Sequence, residues 1–112
     1  MQQELEFEDL VIGTGKKAER GALITAHYTG WLEDGTEFDS SYKKNAPFQT
    51  VLSKKRVIQG WVLGLEKMQV GGKRRLRVPA YLAYGERQIG TMIPPHSNLT
   101  FEIELLEVLT RD

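Results

Sequence analysis

The feature that most constrains this chain is alternation of period two, clearest in Leu99, Phe101, Ile103 and Leu105 against Thr100, Glu102 and Glu104. Such alternation belongs to strands with one face in a core and one in water, the habit of an antiparallel sheet. It recurs near the start, with Leu5 and Phe7 inward and Glu4, Glu6 and Glu8 outward, and again with Leu76 and Val78 inward against Arg75 and Arg77. Beyond Leu105 the parity slips, because Leu106 and Val108 fall on the opposite side, which predicts a bulge or a doubly covered strand end.

Ala22 to Leu32 reads as a longer strand, and the Asp34-Gly35 pair after it as a hairpin turn. Phe38 opens the return strand. A polar stretch from Ser40 to Pro47 interrupts it before Phe48 to Leu52 resumes, and such an excursion is expected to be exposed. One helix is predicted, from Gln59 to the Gly71-Gly72 pair and about two to three turns long, with Trp61, Leu65 and Met68 on one face. Gly60 and Gly64 weaken it by roughly 1 kcal/mol each, so packing must hold it. Glu86 to Ser97 is a loop long enough to carry function. These elements predict an α+β fold: a five-stranded antiparallel β-sheet wrapped on one short α-helix.

Length and composition set the scale. At 112 residues, 40% hydrophobic and 27% charged, the chain suits one globular domain spanning 1–112 that buries roughly two-thirds of its unfolded surface. Cysteine is absent, which excludes disulfides, thiolate nucleophiles and cysteine zinc sites. Met1 to Glu8 has neither the basic nor the apolar segment of a secretory signal, and no apolar run approaches the ~20 residues of a membrane span, so a cytoplasmic protein without membrane partners is expected.

Net charge is zero, yet Lys43 to Arg77 holds ten basic residues against the single acid Glu66. Either a nucleic-acid surface or the side-by-side placement of basic and acidic strands explains such segregation.

The usual catalytic constellations are weak. His27 and His96 belong to no metal-ligand spacing, and His27, inside an apolar strand, reads as a hydrogen-bonded structural histidine. Ser40 or Ser97 with His96 and Asp39 lacks a nucleophile elbow. No metal or cofactor is expected. The aromatic residues Tyr28, Phe38, Phe48, Trp61, Tyr84 and Phe101 fall at inward positions of several segments, which suits plain core filling as well as a pocket.

The words around those aromatics decide between the two. His27-Tyr28-Thr29-Gly30, Leu32-Glu33-Asp34-Gly35, Phe38-Asp39-Ser40-Ser41, Pro47-Phe48, Val57-Ile58-Gln59-Gly60-Trp61, Ala83-Tyr84-Gly85, Ile93-Pro94-Pro95-His96 and Leu99-Thr100-Phe101 occur in that order. The series, from near Gly21 to Val108, closely resembles the FKBP family of peptidyl-prolyl cis/trans isomerases.

The resemblance implies a pocket between helix and sheet, with Trp61 as floor and Tyr28, Phe38, Phe48, Val57, Ile58 and Phe101 as walls. It makes Asp39 and Tyr84 the polar contacts and the Ile58 N–H a donor to a ligand carbonyl. Ile89 and Met92 would line the rim, with Ile93 from the same loop also against the substrate. Asp39 keeps two readings, a substrate contact or an anchor for Tyr28 or a nearby arginine. Implied partners are proline-containing polypeptides and macrolides of the FK506 and rapamycin type, taken by a monomer. No inserted chaperone domain, His-rich tail or dimerisation helix is recognisable in the sequence. The family topology would order the strands first, fourth, fifth, second, third, setting Lys73, Arg75 and Arg77 between Glu4, Glu6, Glu8 and Glu102, Glu104. Two rival readings remain: a binding module without activity, and nucleic-acid binding through Lys54-Lys55-Arg56 and Lys73-Arg74-Arg75 with Arg77.

Overall fold

A computed structural model describes residues 4–90 and 92–110. Met1 to Gln3, the start of the acidic N-terminal segment, and Thr91 of the long loop lie outside the described residues. The chain forms β1 (Glu6–Val11), β2 (Leu23–Leu32), β3 (Glu37–Ser40), β4 (Phe48–Val51), α1 (Gln59–Leu65), β5 (Lys73–Val78), one 3-10 turn (Ala80–Leu82) and β6 (Leu99–Leu109). All pairings are antiparallel, in the order β1-β5-β6-β2-β3, with β4 also on β2.

The strand count is therefore six where five were expected. The difference is the interruption after Ser40: β3 and β4 both pair with β2, Gly30 facing Asp39 and Ala26 facing Phe48, and residues 41–47 leave the sheet between them. The parity slip in β6 is a bulge, since Ala26 faces Leu105 while Thr25 faces Glu107. Leu106 is the extra residue and points to solvent, and Val108 regains the core.

The helix is shorter than its sequence pattern predicts. It ends at Leu65 because Lys67 takes a left-handed backbone (φ 71°) and donates its N–H to Ala18 O at 2.8 Å, while Met68 O accepts from Ala18 N–H. A passing segment thus captures the groups that a further turn would have used. Met68 still packs into the core, 2% exposed, from outside the helix.

The core lies between the inner face of the sheet and α1, with Ile24, Ala26, Leu76, Val78, Phe101, Ile103 and Leu105 beneath Trp61 and Leu65. The two helix glycines lie directly on β5: a Cβ at Gly60 would stand 2.4 Å from Val78 Cγ1, and one at Gly64 2.7 Å from Leu76 Cδ2. Their cost in helix propensity is offset by this close approach.

Segregated charge resolves into strand pairing. Arg75 reaches Glu102 at 2.8 Å and Glu8 at 3.4 Å, and Lys73 lies 3.9 Å from Glu102, all on the outer face. Arg77 faces Glu6 in register but makes no ion pair with the described residues. Phe7 departs from expectation: it is 58% exposed, because β1 is an edge strand beyond the reach of α1. Its ring carries the Arg74 guanidinium, 4.4 Å from the centroid. Arg74 itself points inward, 9% exposed, donating to both Asp9 carboxylate oxygens (2.7 and 3.3 Å) and to Gly64 O (2.8 Å) in the last turn of α1. A buried guanidinium is tolerated only with such full pairing. Among the described residues no helix is long and apolar enough to cross a membrane.

The helix–sheet contact predicts that Gly60→Ala lowers stability by about 1–3 kcal/mol, overpacking outweighing the roughly 1 kcal/mol gain in helix propensity. Val78 is β-branched and stiff at χ1, so it cannot swing aside cheaply. Urea unfolding would show a lower midpoint at unchanged slope; a raised midpoint would contradict the packing argument.

Candidate active site

The inner face of the sheet is left open beside the first turn of α1, and aromatic side chains fill the opening. Trp61 forms the floor, 4% exposed, with the rings of Tyr28, Phe101 and Phe48 standing edge-on around it at centroid distances of 5.3, 5.6 and 6.0 Å. Phe38 meets Phe101 in the same manner at 5.7 Å. Each such contact adds about 0.5–1.5 kcal/mol beyond area burial, and the set fixes ring orientations mutually. Gly30 in β2 makes the arrangement possible, since a Cβ there would lie 2.6 Å from Phe38 Cζ and 3.0 Å from Phe101 Cε1.

The rings leave a cavity of about 130 Å³ over Trp61. Its walls are Tyr28, Phe38, Phe48, Val57 and Phe101, and its polar edge is Asp39, Arg56, Ile58 and Tyr84. That volume is well below the roughly 300–1,000 Å³ of a drug-sized pocket and suits a single ring.

Two donors on residues that line this space are unused. The Tyr84 hydroxyl and the Ile58 N–H have no hydrogen-bond acceptor among the described residues. Tyr28, by contrast, gives its hydroxyl to Asp39 in a short hydrogen bond. Asp39 also accepts from Ser40 N–H at 2.9 Å and pairs with Lys44 at 2.9 Å. Of its two expected readings, the anchor is therefore present, with a lysine in place of an arginine.

Ile89, Met92 and Ile93 do not line the cavity. Ile89 and Ile93 exchange backbone hydrogen bonds of 2.9 and 3.2 Å; Ile93 is buried in the core, Ile89 half-buried against it, and Met92 exposed. The expected structural role of His27 is seen on the opposite face of β2. Its Nδ1 lies 2.8 Å from Ser41 Oγ and its ring stacks on Tyr42 at 4.5 Å. Ser41 Oγ in turn accepts from the Tyr28 N–H at 2.8 Å, so this group fastens the start of the 41–47 excursion behind the pocket wall. Among the described residues no three His, Cys, Asp or Glu side chains converge on a metal-sized site.

Residues 14–106 match the family model described as FKBP-type peptidyl-prolyl cis-trans isomerase. The chain belongs to this family. It is 51% identical over 104 residues to the FK506-binding protein of Neisseria meningitidis serogroup A, covering 93% of this chain and 95% of that one. Among solved structures it resembles AtFKBP13 (TM-score 0.85, 44% identity, 92% of this chain and 91% of that one). It also resembles FkpA from Escherichia coli (TM-score 0.87, 38% identity), covering 94% of this chain but spanning only 48% of that one. The aromatic cavity thus belongs to an FKBP-type peptidyl-prolyl cis/trans isomerase.

Electrostatics in this FKBP site follow from the Asp39 contacts. Burial works against the Asp39 carboxylate, but hydrogen bonds from Tyr28 and Lys44, the Lys44 charge and the Ser40 N–H together hold its carboxyl below the usual range. Burial first, then the Asp39 hydrogen bond and charge, push the Tyr28 phenol well above its ordinary value. Burial and the Asp39 charge also raise Tyr84.

A depressed folded-state value means that Asp39 stabilises the fold above its unfolded value of about 4, and that this contribution is lost as pH falls through the folded value. Urea unfolding at stepped pH is expected to show wild type and Asp39→Asn converging as the pH drops below about 4. A difference independent of pH would remove the charged anchor.

Proposed function

We propose that this isomerase takes the prolyl ring of a polypeptide into the cavity over Trp61 and lowers the barrier to X-Pro rotation without a nucleophile, base, metal or cofactor. One observation carries the reading: two unused donors, the Tyr84 O–H and the Ile58 N–H, stand at the edge of an aromatic cavity sized for one ring.

The barrier, about 18–20 kcal/mol, comes from amide resonance, which twisting destroys. The planar amide is charge-separated and favoured by water, so a site walled by Phe38, Phe48, Trp61 and Phe101 favours the less polar twisted form. The Ile58 N–H receives a substrate carbonyl, and Tyr84 holds a second acceptor in the turned pose. Asp39 acts one step back, orienting Tyr28 in the wall. Every ~1.4 kcal/mol gained only in the twisted state is tenfold in rate.

Macrolide binding is the companion proposal. The Neisseria relative is named an FK506-binding protein. A cavity of about 130 Å³ takes only one ring of such a ligand, so the remainder lies outside it, where the family resemblance implies contacts from Ile89 and Met92.

A protease-free assay on a Leu-Pro peptide separates this reading from a binding module without activity. Because Tyr84 is raised and Asp39 lowered, neither titrates between about pH 6 and 8, so the rate constant is expected to be flat there with little solvent deuterium effect. A bell-shaped profile with a large isotope effect would demand an acid or base absent from the proposal. Tyr84→Phe is expected to lose no more than about ten- to a hundredfold, the worth of one hydrogen bond and some orientation. Phe38→Ala is expected to lose as much or more, with folding checked because core truncations of this kind cost ~3–5 kcal/mol.

Macrolide binding has its own readout. Rapamycin is expected to change the emission of Trp61, and Trp61→Phe to abolish the saturable part of the change. Its persistence through Trp31 would place the ligand elsewhere.

A further inference from the structure

Beside the aromatic cavity runs an open groove of about 620 Å³ that shares Arg56, Val57, Ile58 and Tyr84 with it. The two spaces adjoin across these four shared residues, so a peptide whose proline enters the first can lay a neighbouring residue along the second. The charged lining of the groove is cationic throughout: Lys54, Lys55, Arg56 and Arg87, with no carboxylate among them. All four are exposed, and none has an ion pair or side-chain hydrogen bond with the described residues. Outside the groove Arg20, Lys43, Lys44, Lys73, Arg74 and Arg75 each face a carboxylate, whereas Lys16, Lys17, Lys67 and Arg77, which do not line it, make no ion pair with the described residues. Glu86, next to Arg87, is not part of the lining, and Asp39 across the cavity is engaged by Lys44 and Tyr28.

We infer that this groove is a specificity site for acidic polypeptide segments, favouring substrates with Glu or Asp within a few residues of the isomerised proline. The inference rests on the isomerase reading above and names its substrate class. Unpaired like charges along one groove repel one another, and a carboxylate laid between them relieves that repulsion while gaining attraction. A protein segment fits better than nucleic acid. The groove adjoins a cavity shaped for one small ring, and Lys73, Arg74 and Arg75 of the second basic run are occupied by Glu8, Asp9 and Glu102.

The test compares peptides identical except for Glu, Gln or Lys two residues before or after a Leu-Pro bond, by a protease-free assay. On the side that meets the groove, kcat/KM for the Glu peptide is expected to exceed that for the Lys peptide about three- to tenfold, the sum of several exposed charge contacts. The ratio should fall towards one as salt approaches about 1 M, where screening acts within ~3 Å. The combined variant Lys54→Gln, Lys55→Gln, Arg87→Gln should bring the ratio near one at low salt. Arg56 is left intact because it lines the cavity, and a ratio is insensitive to general loss of rate. Activity on every peptide with a ratio of one on both sides overturns the acidic preference alone. No acceleration of the Gln peptide removes the isomerase reading and this one with it. Tight oligonucleotide binding at physiological salt, lost in the same variant, would reassign the groove to nucleic acid and overturn the proposal.

Discussion

Everything in this molecule is set by how closely α1 lies on β5. Gly60 and Gly64 present bare backbone to Val78 and Leu76, so the helix sinks by about the radius of a side chain. At that depth Trp61, between the glycines, reaches the rings carried by β2 and β6 and becomes the floor of a cavity instead of its filling. Raised by one methyl group, the helix would leave the floor loose. Arg74 secures the other end of the contact, because its guanidinium meets the last turn of α1 at Gly64 O while Asp9 holds it from β1.

The site has a division of labour between its two hydroxyls. Tyr28 and Tyr84 both edge the cavity, and both are raised by burial and by the Asp39 charge, yet only Tyr28 is spent on a protein acceptor. One phenol is structure and the other is available. Among the described residues no buried side-chain polar atom is left unpaired, so the free Tyr84 hydroxyl is open to solvent and costs the fold little, while Tyr28 is fixed by Asp39.

The sheet was legible in the sequence because alternation is enforced by burial on one face, and the strand order followed from the family resemblance. The bulge at Leu106 left a parity slip that could be read directly. What escaped was decided by tertiary contact. The helix stop at Leu65 depends on Ala18, far away in sequence, and Phe7 keeps inward parity on an edge strand where only the Arg74 guanidinium is recorded over its ring. In the site, the aromatic walls and Asp39 are legible from their words, whereas Arg56 reads as part of a basic run because its place on the cavity edge is set by a loop without periodicity. Gly30 carried a signal in principle, a glycine interrupting a β-branched strand, which often marks close approach of another group.

The placement of β6 bears on how the chain comes to be folded at all. It is last in sequence but lies between β5 and β2, pairing Leu23 with Leu109 and Val78 with Leu99. Until residues 99–109 have been made, β2 with β3 and β4 and β5 with β1 and α1 have no strand to join them. Joining the two parts of the sheet therefore waits for β6, whose pairings with β2 and β5 are all long-range in sequence or follow the loop at 79–98. Such non-local closure is slow, on the order of milliseconds to seconds in comparable topologies. Closure of this isomerase's own core thus waits on its last strand, a dependence written into its strand order.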